Sequence, residues 1–369
     1  MARLPARSPT VVATALLLAL PLGFAAGGAS AEETTLHPYL APEGCEVLQG
    51  WYDDLLATQP EGALVPLKLD PTDTQLAALG LPPRAQLLGQ RFPEPTLVLP
   101  DGTREPVDLS GVAVGDTALA AYAGTGCLGI RPGALLLIID ASGLAICSLA
   151  HVYGSAGAYQ ISTAGHCTEK VGQTLTVVAA VGNRGGLAGP VLLDFGTTAK
   201  TTGDGGPGRD WALVSIFSRY QHLVTPTMCF WAGPRGAFTA QGELVDVNVP
   251  NRIPALPSVS VNPNPTLVQG IVHYGHGLGL GAGGTPRGGA SAVWGSSTFA
   301  FVGAIAPGDS GSGANTATGQ AAGIITHIAV DPWLRYGTGV ALGTRVTQVP
   351  ATLADGQLLP YPAPVPLLP

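Results

Sequence analysis

The chain has 369 residues, which suits one large domain or two ordinary ones and is long enough to bury a substantial core. Only 11% of the residues are charged, while 52 are glycine and 33 are proline. That balance excludes a charge-rich disordered chain and favours many short strands joined by tight turns. The formal net charge is −7 and only Lys68, Lys170 and Lys200 are lysines, which argues against electrostatic partnership with nucleic acid or anionic lipid.

Residues 1–31 read as an export signal. Arg3 and Arg7 precede the apolar run VVATALLLALPL, and ASA before Glu32 fits a small-residue cleavage site. The run is too short to anchor in a membrane and ends at Pro21. Cleavage would leave 15 basic and 24 acidic side chains, a net of −9, on a protein expected to be secreted and free of the membrane. Residues 32–125 form the next region, an N-terminal pro-segment or accessory region. It holds the plausible helix TDTQLAALG, with Asp73 as N-cap and Gly80 as stop, then Pro-rich connectors. The stretch TLVLPDGTREPV predicts a hairpin turning at Asp101-Gly102.

From residue 126 to 349 the pattern is all-β. The segments ALLLII, LAICSLA, AYQIS, TLTVVAAV, WALVSIF, ELVDVNV, TLVQGIVHY, STFAFVGAI, AAGIITHIAV and GVALGTRV are each short and bounded by turn formers. Residues 350–369 are proline-rich and predict an extended surface tail. The five cysteines, Cys45, Cys127, Cys147, Cys167 and Cys229, contain no CxxC pair, so zinc and thioredoxin-like readings are weak. Disulfides are the default in an oxidising compartment, and the odd count leaves one cysteine free or paired between chains.

Three motifs carry chemistry. In ISTAGHCTEK, His166 stands among small residues. In APGDSGSG, Ser310 stands between glycines after Asp309. In GRDWALVSI, Asp210 precedes an apolar strand. A serine hydroxyl needs a base to take its proton, an imidazole suits that task near neutral pH, and a carboxylate is needed to fix the imidazole's tautomer. Asp194 and Asp204 are rivals of Asp210, which is preferred for its spacing and following strand. The pair of histidines in HYGH (273–276) invites a metal reading, but the flanking glycines oppose a helix and a surface loop is expected. GLGAGG (279–284) matches a dinucleotide glycine pattern but precedes TPRGG rather than a helix, so a loop at the substrate rim is expected. Ser312 breaks the G-x-S-x-G elbow, and the His-Asp-Ser order opposes an α/β-hydrolase.

On TAGHC (163–167), RDWALV (209–214) and GDSGSG (308–313), the chain resembles the chymotrypsin-like serine peptidases, of the bacterial secreted type. The motifs follow the family's order, and the resemblance covers roughly residues 126–350. It implies an all-β fold of two six-stranded antiparallel barrels, preceded by a small mixed N-terminal segment. It implies His166 as general base, Asp210 as its orienting partner, Ser310 as nucleophile, and the amides of Gly308 and Ser310 as the oxyanion hole. It further implies a Cys147–Cys167 bridge beside the base. A second bridge would join Cys127 to Cys229 with Cys45 spare, or Cys45 to Cys127 with Cys229 free. The usual Gly-Pro after the nucleophile's glycine is replaced here by Ser312-Gly313, and no IVGG-like amino terminus is present to pair with Asp309.

The resemblance also locates a specificity pocket at Ala304 and Ile305, with Thr326 on the strand GIITHI that should pair with the substrate backbone. The pocket reads as apolar, which disfavours cleavage after Lys or Arg. His327 on that strand would suit a glutamate-preferring pocket only if it lay two positions away. The expectation is a secreted, monomeric serine endopeptidase acting on proteins or peptides without a cofactor or metal. The alternative is a catalytically silent secreted binding protein on the same barrels.

Overall fold

The computed structural model describes residues 42–111, 114, 129–141, 143–184, 187–228, 233–241, 269–277, 285–331 and 339–356. The expected signal, Cys127, Cys229, the segment ELVDVNV, the glycine run 279–284 and residues 357–369 lie outside them. The chain opens with α1 (Pro42–Thr58), β1 (Leu64–Pro66), α2 (Asp73–Ala78), α3 (Arg84–Leu87) and the hairpin β2 (Thr96–Val98) and β3 (Arg104–Pro106). Next come β4 (Leu135–Ile139), β5 (Leu144–Ser148), β6 (Val152–Tyr153), β7 (Gln160–Thr163), β8 (Thr174–Arg184), β9 (Leu187–Thr201) and β10 (Ala212–Ile216). The last group is β11 (Gln269–Gly275), β12 (Thr285–Trp294), β13 (Thr298–Gly303), β14 (Gly313–Thr316), β15 (Ala321–Ala329) and β16 (Gly339–Arg345).

The fold is mostly β. Strands β11 to β16 form a closed antiparallel barrel in the order β14-β11-β12-β13-β16-β15, with β15 returning to β14. The other sheet runs β5-β4-β8-β9-β10-β7-β6. The β6–β7 pairing extends toward β5, where the amide of Ala150 donates to Ser162 O (2.7 Å) and that of Ser162 donates to His151 O (2.9 Å).

The fully apolar run ALLLII has a physical reason. A strand covered on one face would alternate, whereas β4 is buried throughout. Leu136 and Ile138 face the sheet's own core with Ile161, Val177 and Val214. Leu135, Leu137 and Ile139 pack on the other side against Leu76, Leu79, Leu87 and Phe92 from the α2–α3 region. Residues before 107 therefore build onto both sheets: β2 pairs with β9, and β1 pairs with β15. The expected hairpin at Asp101-Gly102 is present as β2–β3.

Some expectations are corrected. Thr72, not Asp73, caps α2: its hydroxyl accepts from the amide of Gln75, whose side chain returns the bond to the amide of Thr72. The Asp73 carboxylate is used elsewhere, accepting from the amide of Arg84 at 2.8 Å. The strand β12 was not expected, because its TPRGG start reads as loop. Gly289 explains it: a Cβ there would meet Val302 O at 2.4 Å, so only glycine lets β13 approach so closely. HYGH is not a surface loop. His273 to Gly275 end the barrel strand β11, and His273 and His276 are both buried. His273 Nε2 bonds Ala304 O at 3.1 Å, and His276 Nε2 bonds Gly133 O at 3.0 Å. The start of the Pro-rich tail, Leu353 and Ala354, packs back on Tyr153 and Val152.

His151, just before β6, is fully buried, its Nε2 donating to Asn315 Oδ1 at 3.1 Å. Burial pushes its pKa down to about 4, partly offset by the Asn315 bond. Burial and the nearby Arg287 also hold His273 well below the ordinary histidine value. These rings enter the fold neutral, so the unfolded chain binds more protons below pH 6.5 and stability falls with acidification from there through about pH 4. Denaturant unfolding followed against pH should lose about 1.4 kcal/mol per pH unit on account of His151 in this window. The slope should drop by one proton's worth in His151→Gln, and an unchanged slope would contradict this assignment.

Candidate active site

His166 sits on the short 3-10 turn Gly165–Cys167 that follows β7. The adjacent Cys167 is bridged to Cys147 at the end of β5, with Cα atoms 6.3 Å apart and a closed loop of 20 residues. Such a loop stabilises by about 3 kcal/mol in the chain-entropy account, and here it ties the histidine's turn to the neighbouring strand. Asp210 lies just before β10, the strand that pairs with β7. Ser310 lies in the turn between β13 and β14.

All three side chains are buried and joined in line. Asp210 Oδ2 is 2.5 Å from His166 Nδ1, and His166 Nε2 is 2.6 Å from Ser310 Oγ. The second Asp210 oxygen accepts from the His166 amide at 3.0 Å. With Nδ1–H facing the carboxylate, Nε2 is left to accept the serine proton. Asp210 is itself held across the two sheets by Thr344 of β16. That hydroxyl accepts from the amides of Asp210 and Gly208, each at 3.2 Å, and donates to Asp210 O at 3.0 Å.

The turn carrying Ser310 is shaped by Asp309. Its carboxylate accepts both terminal nitrogens of Arg287, the amide of Ala306 at 2.9 Å and the amide of Gly277 at 2.9 Å. Burial raises the Asp309 carboxyl above its ordinary value, with the guanidinium and the two amides opposing. Gly308 has φ +103°, and a Cβ there would meet His276 O at 2.2 Å. In this conformation the amides of Gly308 and Ser310 point to one place. Both donate to Leu67 O, at 2.5 and 3.3 Å. Ser148 of β5 fastens the turn from the other sheet: its amide donates to Ser310 O (2.7 Å) and its hydroxyl to Gly308 O (2.9 Å).

The residues expected to form a pocket, Ala304, Ile305 and Thr326, make the following contacts. Ile305 is buried and its carbonyl accepts from the Tyr52 hydroxyl at 2.6 Å. Ala304 presents its carbonyl to His273. Thr326 acts through its backbone: its carbonyl accepts from the Leu67 amide at 3.0 Å and lies 3.1 Å from Ser310 Oγ. The neighbouring His327 bonds Thr326 Oγ1 at 2.9 Å and Asp204 at 3.3 Å, and its Nδ1 is 3.7 Å from Asp210 Oδ2. Burial lowers its pKa, with Asp210 opposing. Asp194 is elsewhere, accepting from the Phe92 amide and the Thr176 hydroxyl.

Among the described residues, two sets of donors are close enough to share an ion. In Cys147, His166 and Cys167 the sulfurs are spent in the bridge. In Asp204, Asp210 and His327 the donor atoms lie within 4.8 Å, but hydrogen bonding within the site already accounts for Asp210 and His327. Sequence reasoning missed Arg287, Thr344 and Leu67. A lone arginine in a glycine-rich stretch was the available sign of the first; the other two carry none.

No protein-family model matches the sequence, and no curated protein does. Among solved structures, the chain is similar to Thermobifida fusca protease A, with 18% identity, a TM-score of 0.36, and coverage of 62% of this chain and 99% of that one. It is also similar to a glutamic-acid-specific serine protease that uses a histidine triad in substrate binding. There the identity is 18% and the TM-score 0.32, over 59% of this chain and 94% of that one. A third is a protease of M. tuberculosis in its active form, with 15% identity and a TM-score of 0.34, over 67% and 93%.

Arg287→Met should destabilise the fold by about 3–5 kcal/mol, because it leaves the Asp309 carboxylate buried without its counter-charge. Adding Asp309→Leu should recover much of that loss. Denaturant midpoints of the single and double variants check this, and additive losses would refute the pairing.

Proposed function

We propose that the chain is a secreted serine endopeptidase. The observation that carries this reading is the unbroken chain from Asp210 through His166 to Ser310, beside two convergent amides. Ser310 Oγ attacks a peptide carbonyl as His166 Nε2 takes its proton, and Asp210 stabilises the imidazolium. The oxygen that becomes negative receives the N–H groups of Gly308 and Ser310, each worth about 3 kcal/mol of barrier. His166 then protonates the departing amine, and water releases the acyl group by the same path in reverse. Every proton and charge in this scheme rests on residues of the chain.

The apolar side chains of Ala304 and Ile305 support cleavage after apolar rather than basic residues. Arg287 supports activity without a newly made amino terminus, since Asp309 already has a cationic partner. Export through residues 1–31 and action as a monomer on protein or peptide substrates complete the reading, with the region before residue 126 acting as a pro-segment or a permanent accessory. The second reading, a silent binding protein on the same barrels, predicts an inert serine.

A fluorophosphonate probe should label the processed protein at Ser310, and labelling should vanish in Ser310→Ala and His166→Ala. Asp210→Asn should lower kcat by about 10⁴ with KM little changed, because the imidazole loses its tautomer. Unlabelled processed wild type would favour the binding protein.

A further inference from the structure

Strand β15 is longer than its neighbour β14. β14 pairs with it from Ala321 to Ile324, and Gly311 and Ser312 bond Ile325, so the edge from Thr326 onward is open on that side. Residues Leu64, Val65 and Pro66 fill this edge, opposite Ala329, Ile328 and His327 in an antiparallel register. The ladder continues with the Leu67 amide on Thr326 O. Leu67 O then leaves the ladder and enters the two amides beside the Ser310 hydroxyl. A strand serving only to cover an edge would have no need of those two donors, which in the proposed mechanism receive a developing oxyanion.

The far side of the same peptide bond is held too. Lys68 Nζ donates to His166 O at 3.3 Å. The amide of Leu69 donates to Ile146 O (3.0 Å), and the Ile146 amide donates back to Leu69 O (2.8 Å). Residues 64–67 thus lie on the second barrel and residue 69 on the first sheet, with the Leu67–Lys68 bond between them. The side chains alternate accordingly. Leu67 is fully buried in the cluster that contains Tyr52, Ile305, Ala306 and Ile325, and Lys68 is exposed.

We propose that residues 64–69 occupy the cleft as an internal substrate, that Leu67–Lys68 is the bond the enzyme cuts in its own chain, and that leucine is the side chain its pocket accepts. This rests on the serine peptidase reading. Ser310 Oγ bonds to the Leu67 carbonyl carbon, the carbon–nitrogen bond to Lys68 breaks, and the proton from Ser310 passes through His166 to the Lys68 nitrogen. One water then cleaves the ester, leaving a Leu67 carboxylate, a Lys68 amino terminus and a free serine. The body left behind starts at Lys68 and keeps α2, α3 and the β2–β3 hairpin, because these pack on β4 and pair with β9. The piece ending at Leu67 keeps its ladder on β15, so it is also a product inhibitor until it departs.

Amino-terminal sequencing of the purified full chain, with and without Ser310→Ala, tests the cut. The expected result is a fragment beginning at Lys68 in the active protein and none in the variant. A peptide Leu-Val-Pro-Leu-Lys-Leu given to the processed enzyme tests the pocket without any variant having to fold. It should be cut between its second leucine and lysine, and replacing that leucine by lysine should lower kcat/KM by about 100-fold or more. An enzyme that takes the fluorophosphonate probe and hydrolyses casein, yet begins elsewhere or cuts the peptide elsewhere, overturns the internal substrate and leaves the peptidase standing. Absence of both labelling and hydrolysis overturns the peptidase reading and this proposal with it.

Discussion

A carboxylate withdrawn from water must find donors or lose its charge, and Asp309 has found four: two nitrogens of Arg287 and the amides of Ala306 and Gly277. This knot fixes the turn from Ala306 to Gly311. The direction of two amides follows from it, and so does the position of the Ser310 hydroxyl. The remaining constraint comes from across the cleft, where Ser148 holds the same turn by its amide and hydroxyl. The site is therefore a property of two packed sheets, with each fixing atoms that the other uses.

The histidine side obeys the same logic. His166 is constrained by the Cys147–Cys167 bridge behind it and by Asp210, which touches both its ring and its amide. Asp210 in turn is fastened by Thr344, a residue of the opposite barrel. Preorganisation of this kind costs stability locally, since polar groups are buried in quantity. The apolar clusters offset that cost. One fills the first sheet, one fills the closed barrel, and a third joins α2 and α3 to the outer face of β4.

The region before the barrels takes a direct part in this arrangement. Its strand β1 satisfies an edge of β15 that the barrel leaves unpaired, and an unpaired edge is a liability for any sheet. Its Tyr52 donates to the carbonyl of Ile305. In the proposed reading, one segment both protects the open edge and presents a bond to the serine.

The sequence by itself determined the fold class and the chain order of the chemical groups. Short apolar runs between turn formers mark strands, and the backbone's local preferences suffice for that. The motifs around residues 166, 210 and 310 were visible because each joins an uncommon residue to glycines or an apolar strand. Local pattern misread His273 and His276 as surface residues, because glycines that signal a loop also permit close strand packing. It offered no partner for Asp309 and could not link Leu67 to Ser310, which lie 243 positions apart. Those relations were decided only by tertiary structure. They depend on which barrel edge lies open and which buried charge needs neutralising, and such long-range demands leave no periodic trace along the chain.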